Sequence, residues 1–130
     1  DETPETVANF VKLARRGYFD GLTFHRVVPG FVVQGGDPRG DGYGGPGYIV
    51  PCEITPRPFK RGVVGMALAG KDTGGSQFFI TQSRQPHLDG GYTAFAEVKS
   101  GWTALDSLLP GDSILGVDVF QREVEGATAE

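Results

Sequence analysis

Residues 35–47 read Gly-Gly-Asp-Pro-Arg-Gly-Asp-Gly-Tyr-Gly-Gly-Pro-Gly, with seven glycines and two prolines. No regular element accommodates such a stretch. Glycine gives up too much conformational freedom there, and proline brings no N–H donor. The segment must be a loop. The 21 glycines of the chain are scattered among apolar runs with no Gly-X-Y period, which excludes collagen and favours a turn-rich β protein. At 130 residues the chain suffices for one domain with a hydrophobic core and hardly for two, so residues 1–130 are taken as one domain.

The flanking patterns predict the elements. Thr3-Pro4 supplies an N-cap and a proline at the first helical position. Val7, Phe10, Val11 and Ala14 recur at helical spacing, and Arg15, Arg16 and Gly17 suit a helix end. Beyond Gly21 the pattern changes to β-branched and aromatic runs. Strands are predicted over 22–28 and 31–34, with Pro29-Gly30 as the turn, then over 63–69, 77–81 and 94–98. A second helix is predicted over 103–109, stopped by Pro110-Gly111, and a closing strand over 114–124. Short strands with two separated helices suggest a β-barrel with helices covering its ends.

Several function classes drop out. A net charge of −4 without a basic stripe disfavours sequence-independent nucleic-acid binding. No apolar run approaches the ~18 residues of a membrane span. Two histidines and the lone Cys52 stand far apart, so no metal site is predicted, and no internal disulfide can form. The 35–47 loop lacks the Gly-Lys-Ser/Thr ending of a phosphate loop. Gly74-Gly75-Ser76-Gln77-Phe78 lacks the second glycine of a nucleophile elbow. Cellular location stays open: the cytoplasm is slightly favoured, and a periplasmic or secreted site requires a removed N-terminal segment.

Three segments stand out together: Phe24-His25-Arg26-Val27-Val28-Pro29-Gly30-Phe31 running on to Gln34-Gly35-Gly36-Asp37; Gly65-Met66-Ala67; and Gly74-Gly75-Ser76-Gln77-Phe78-Phe79. With Leu88-Asp89-Gly90 they follow the order and spacing of the cyclophilin-type peptidyl-prolyl cis/trans isomerases, and the chain resembles that family over nearly its whole length. The resemblance implies a mainly β fold, an eight-stranded antiparallel barrel capped by two α-helices. The first two strands, a hairpin upstream of the first helix, are missing from this chain and are expected in residues outside it. It implies an enzyme that rotates X-Pro bonds and assists protein folding, without cofactor, acting on proline-containing peptides and unfolded or flexible segments. The runner-up is a non-catalytic proline-peptide binding module of a larger protein.

The residue types suit the chemistry. Rotation about an amide faces a barrier of ~18–20 kcal/mol, and the twisted bond leaves a pyramidal, basic nitrogen. A guanidinium donates to such a nitrogen or a neighbouring carbonyl and stays charged at any working pH. Arg26 is therefore the first candidate catalytic residue, with Gln34 and Gln77 to grip the substrate backbone or orient it. The resemblance implies Phe31, Val32, Phe79 and Leu88 as walls for the proline ring, and Ala67, Leu68 and Ala69 as the strip beside the substrate chain. Val32 stands where methionine is frequent, and Leu68 where many relatives carry asparagine. His87 replaces a frequent tryptophan and Tyr92 the pocket histidine, so both join the substrate-binding set. The missing indole implies weak binding of cyclosporin-class ligands. Phe24, Phe78, Phe95 and Met66 are read as core or pocket floor, and His25 as a structural neighbour of Arg26 on the opposite strand face.

Overall fold

The computed structural model describes residues 2–42, 44–68 and 74–120. In chain order it comprises α1 (Pro4–Arg15), β1 (Arg26–Val28), β2 (Val32–Gly35), β3 (Val63–Met66), β4 (Phe78–Thr81), a 3-10 turn (Pro86–Leu88), β5 (Ala94–Glu97) and α2 (Trp102–Ser107). The strands form one five-stranded sheet in the order β1-β2-β4-β3-β5, every neighbouring pair antiparallel. The fold is thus mainly β with two helices. Among the described residues the sheet is open, with β1 and β5 at its edges, rather than a closed barrel of eight strands.

The period of two sorts the strands onto two cores. Val32, Val63, Phe79 and Ala94 face one cluster, completed by Phe59 and Leu88. Their chain neighbours Val64, Phe78, Ile80 and Phe95 face the other, where Leu13 and Ala14 of α1 pack with Phe19 and Ile114. The second cluster is rich in rings: Phe78 meets Phe10 and Phe19 edge-on, each with centroids 5.8 Å apart.

α1 begins at Pro4, as predicted, but its buried face is turned from the expected one. Thr6, Asn9, Leu13 and Ala14 are buried, whereas Val7 and Val11 are only half-buried. Polar partners explain the rotation. The Thr3 side chain makes no capping bond. Instead the Glu53 carboxylate accepts the N–H groups of Glu5 at 3.0 Å and Thr6 at 2.7 Å, donors that a helix start leaves without intrahelical partners. Asn9 donates to the Gly75 carbonyl at 2.8 Å and accepts from the Tyr48 hydroxyl. Two polar side chains thereby occupy a face that hydrophobic periodicity assigns to valines.

The strand predicted over 114–124 is not formed among the described residues, which run to Phe120. Residues 21–24 and 111–114 exchange backbone hydrogen bonds, such as Ile114 N–H to Leu22 O at 2.7 Å, and the ladder goes no further. Val117 and Val119 pack against the second core while Asp118 and Phe120 are exposed, so the alternation reports side-chain burial without strand pairing.

Glu53 gives a pH-dependent test. Burial pushes its carboxyl up, but the Thr6 hydroxyl and the N–H groups of Glu5 and Thr6 outweigh burial and hold it below its ordinary value. A carboxylate depressed in the folded state stabilises above the unfolded value of about 4.3 and loses that contribution as pH falls through the folded one. Glu53→Ala should cost about 1 kcal/mol in urea unfolding at neutral pH. The gap to wild type should narrow in acid, and a gap constant with pH would contradict the assignment.

Candidate active site

The sheet register lines up four residues across its width. Arg26 of β1 pairs with Gln34 of β2, Gln34 with Phe79 of β4, and Phe79 with Gly65 of β3. Directly opposed residues share a face, so Arg26, Gln34 and Phe79 stand side by side. Gly65 closes the row because it has no side chain: a Cβ there would meet Phe59 Cε1 at 2.8 Å and collide with the Phe79 ring. The vacated space lets Phe79 lie down, stacked on Phe59 at 5.5 Å and edge-on to Tyr92 at 5.7 Å.

Over this row lies a cleft of about 180 Å³, lined by Arg26, Phe31, Val32, Gln34, Ala67, Leu68, Phe79, Leu88 and Tyr92. Its floor is buried core, with Val32, Phe79 and Leu88 all under a tenth exposed. Arg26 is exposed at its rim, and its guanidinium carbon lies 5.9 Å from the centre of the Phe31 ring, within cation–π range. Among the described residues Arg26 forms no ion pair.

Two supports fix the walls. The Gly30 N–H donates to Gln82 Oε1 at 2.9 Å, the Gln82 N–H to the Phe31 carbonyl at 2.8 Å, and the Ser83 hydroxyl to the Gly30 carbonyl at 2.6 Å. These bonds tie the β1–β2 turn, and with it Phe31, to the end of β4. On the other side, Asp89 accepts the Phe59 N–H at 2.7 Å and a two-pronged bond from Arg84 at 2.7 and 3.0 Å, which anchors the turn carrying Leu88. The Arg84 bond first, then the Phe59 N–H, hold the Asp89 carboxyl below its usual range.

The structure brings together most of the residues singled out by sequence. Gln77 and His87 are adjacent to the cleft rather than in its lining. Gln77 stands behind Gln34 and accepts its amide N–H at 3.0 Å. His87 stacks on Phe31, with ring centres 5.6 Å apart and planes at 28°. Ala69 lies outside the described residues. Sequence reasoning passed over Gln82 and Arg84, which carry no local signal. It noted Asp89 only as part of a motif, without its bond to the Phe59 backbone.

The model of the family described as cyclophilin type peptidyl-prolyl cis-trans isomerase matches residues 1–119. This chain belongs to that family. A peptidyl-prolyl cis-trans isomerase of Synechococcus elongatus is 54% identical over 121 residues, spanning 92% of this chain and 83% of the relative. Peptidyl-prolyl cis-trans isomerase B of Bacillus subtilis is also 54% identical over 121 residues, spanning 92% of this chain and 85% of its own. Among solved structures, a cyclophilin type isomerase of Cryptosporidium parvum, crystallised in the presence of the dipeptide Ala-Pro, matches with a TM-score of 0.78 and 36% identity, covering 87% of this chain and 80% of that one. Peptidyl-prolyl cis-trans isomerisation, the activity that the motifs predict, is the function of this cyclophilin.

In this cyclophilin, Gly65 gives the cleft its floor. Gly65→Ala should displace the Phe79 and Phe59 rings, cost about 1–3 kcal/mol of stability and raise KM for a prolyl peptide. Unchanged unfolding and unchanged KM would show that the ring does not depend on the missing side chain.

Proposed function

We propose that the chain turns X-Pro bonds by electrostatic stabilisation of the twisted amide, with Arg26 as the donor. The observation carrying this reading is that the Arg26 guanidinium and the Gln34 amide share one small cleft with an apolar floor. The proline ring, apolar and without an N–H, would seat on Val32, Phe79 and Leu88 against Phe31 and Tyr92. The strip of Ala67, Leu68 and Ala69 would lie beside the substrate chain, with Leu68 contributing only its backbone polar groups.

Seated there, the X-Pro bond would present its nitrogen to Arg26. Rotation breaks amide resonance, so the nitrogen becomes pyramidal and gains a lone pair that the planar amide lacks. A guanidinium hydrogen bond grows stronger as this happens, and it is strengthened again where the proline ring excludes water. No covalent bond forms or breaks, and Arg26 keeps its proton throughout. Gln34 and Gln77 would hold the substrate backbone and the guanidinium in register. A site reading one ring and its adjoining backbone suits unfolded or flexible protein segments of varied sequence. The same reading takes the five strands as part of an eight-stranded barrel closed across the edges β1 and β5.

Arg26→Ala should lower kcat/KM on an Ala-Pro peptide by roughly 10²–10³-fold, the range for losing one positioned donor. Arg26→Lys should recover only part of it, because a point charge lacks the planar fork. A rate unchanged in both variants would sink the mechanism. At the rim, His87 offers less area than an indole and no indole N–H, so cyclosporin-class ligands should bind weakly. Nanomolar affinity in titration calorimetry would contradict that expectation.

A further inference from the structure

Asp37 is almost completely buried, at 1% exposure, just beyond β2. One carboxylate oxygen accepts the Arg39 N–H at 2.9 Å, and the other accepts the N–H groups of Asp41, at 2.9 Å, and of Gly42. Burial pushes this carboxyl up, but the N–H groups of Arg39, Gly42 and Asp41, helped by nearby His25, outweigh it and keep it ionised. The carboxylate is itself held to the sheet. Gly36, at a φ of +90°, packs so closely on the Ser76 carbonyl that only glycine fits, and the Ser76 hydroxyl donates to the Gly36 carbonyl at 2.6 Å. A rigid anion therefore gathers a glycine-rich segment that has no ladder of its own.

What that segment presents is a pair of carbonyls. Gly42 O and Gly44 O each accept from Gln77 Nε2 at 3.0 Å. A carbonyl only accepts, so these two contacts settle which end of the Gln77 amide is NH₂. Its Oε1 is then turned to Gln34 and accepts Gln34 Nε2 at 3.0 Å. Gln34 in turn has its NH₂ turned to Gln77, which leaves its Oε1 as the end available to Arg26, its partner across the β1–β2 pair and in the lining of the same cleft.

We propose that Asp37 is a positioning residue of the isomerase site: by gathering the N–H groups of Arg39, Asp41 and Gly42 it sets the polarity of the Gln77–Gln34 amide chain, and through it the placement of Arg26. The inference rests on the roles given above to Arg26 and Gln34. Without the carboxylate, Gly42 and Gly44 drift, both amides are free to flip, and Gln34 can present NH₂ to a guanidinium that has nothing to accept it. The apolar floor of Val32, Phe79 and Leu88 stays in place, so substrate still binds while the donor is misaligned.

The test is exchange kinetics on an Ala-Pro peptide with separate kcat and KM, alongside thermal unfolding. Asp37→Asn keeps the shape but sets an NH₂ against a backbone N–H. It should lower kcat about tenfold, the order expected of small misplacements, and leave KM within about twofold. In a Gln77→Ala background, where the relay is already cut, Asp37→Asn should cause no further loss. If Asp37→Asn does not fold, Gly44→Ala makes the same test, since its Cβ would collide with Asp37 Oδ1 and displace the loop while retaining the carboxylate. A folded variant with unchanged kcat, or a loss undiminished by Gln77→Ala, would overturn the proposal. Arg26→Ala in the same assay separates the two readings: a rate retained there fails the Arg26 mechanism, whereas a rate lost there but kept in Asp37→Asn and Gly44→Ala fails only this one.

Discussion

Antiparallel register puts Arg26, Gln34, Phe79 and Gly65 in one row across four strands, and most of the site depends on that row. Slipping any strand by one residue would send its member of the row to the opposite face, among the rings that pack on α1. The row places a cation, an amide, a flat ring and a gap in sequence, so one surface grades from polar to apolar over a few ångströms. A proline residue has the same grading, with a polar amide on one side and a hydrocarbon ring on the other. The gap at Gly65 is what lets the Phe79 ring lie low enough to serve as a floor.

A second constraint concerns the segments between strands. Much of this glycine-rich chain has no ladder to satisfy its backbone donors, and buried donors left unpaired are costly. Three carboxylates meet that need across different distances. Glu53 holds the start of α1, Asp89 holds Phe59 beside the Leu88 turn, and Asp37 holds the segment behind Gln77. In each case an acidic side chain that would ordinarily be solvated accepts from the backbone, from several N–H groups at Glu53 and Asp37 and from one beside the Arg84 guanidinium at Asp89. Each holds an element that borders the sheet. The negative net charge of the chain therefore does not measure a free acidic surface.

How much of this was legible in the sequence depended on whether a feature is written in side chains or in backbone. The strand alternation around Val32, Val63, Phe79 and Ala94 is a side-chain pattern, and each of the five strands falls on a predicted run, with ends shifted by one to four residues and β2 reaching Gly35, which the glycine pattern assigns to the loop. The motif residues Arg26, Phe31, Gln34 and Phe79 gather in one cleft for the same reason. The rotated face of α1 was not legible, because Thr6 and Asn9 read as solvent-facing until Glu53 and Gly75 are known to lie opposite them. The alternation around Val117 and Val119 misled in the other direction: inward-facing side chains do not require a paired backbone. Asp37 and Glu53 accept from amides whose residue identities carry no signal, so no sequence pattern announces them.

The central claim is that a permanently charged donor, not a proton in transit, lowers the barrier. The most direct measurement is the solvent deuterium isotope effect on kcat/KM, read by exchange NMR on an Ala-Pro peptide so that no coupling protease intervenes. Arg26 keeps its proton in ground and transition states, so the account predicts an effect near unity. A clear normal isotope effect would place proton transfer in the rate-limiting rotation and contradict it.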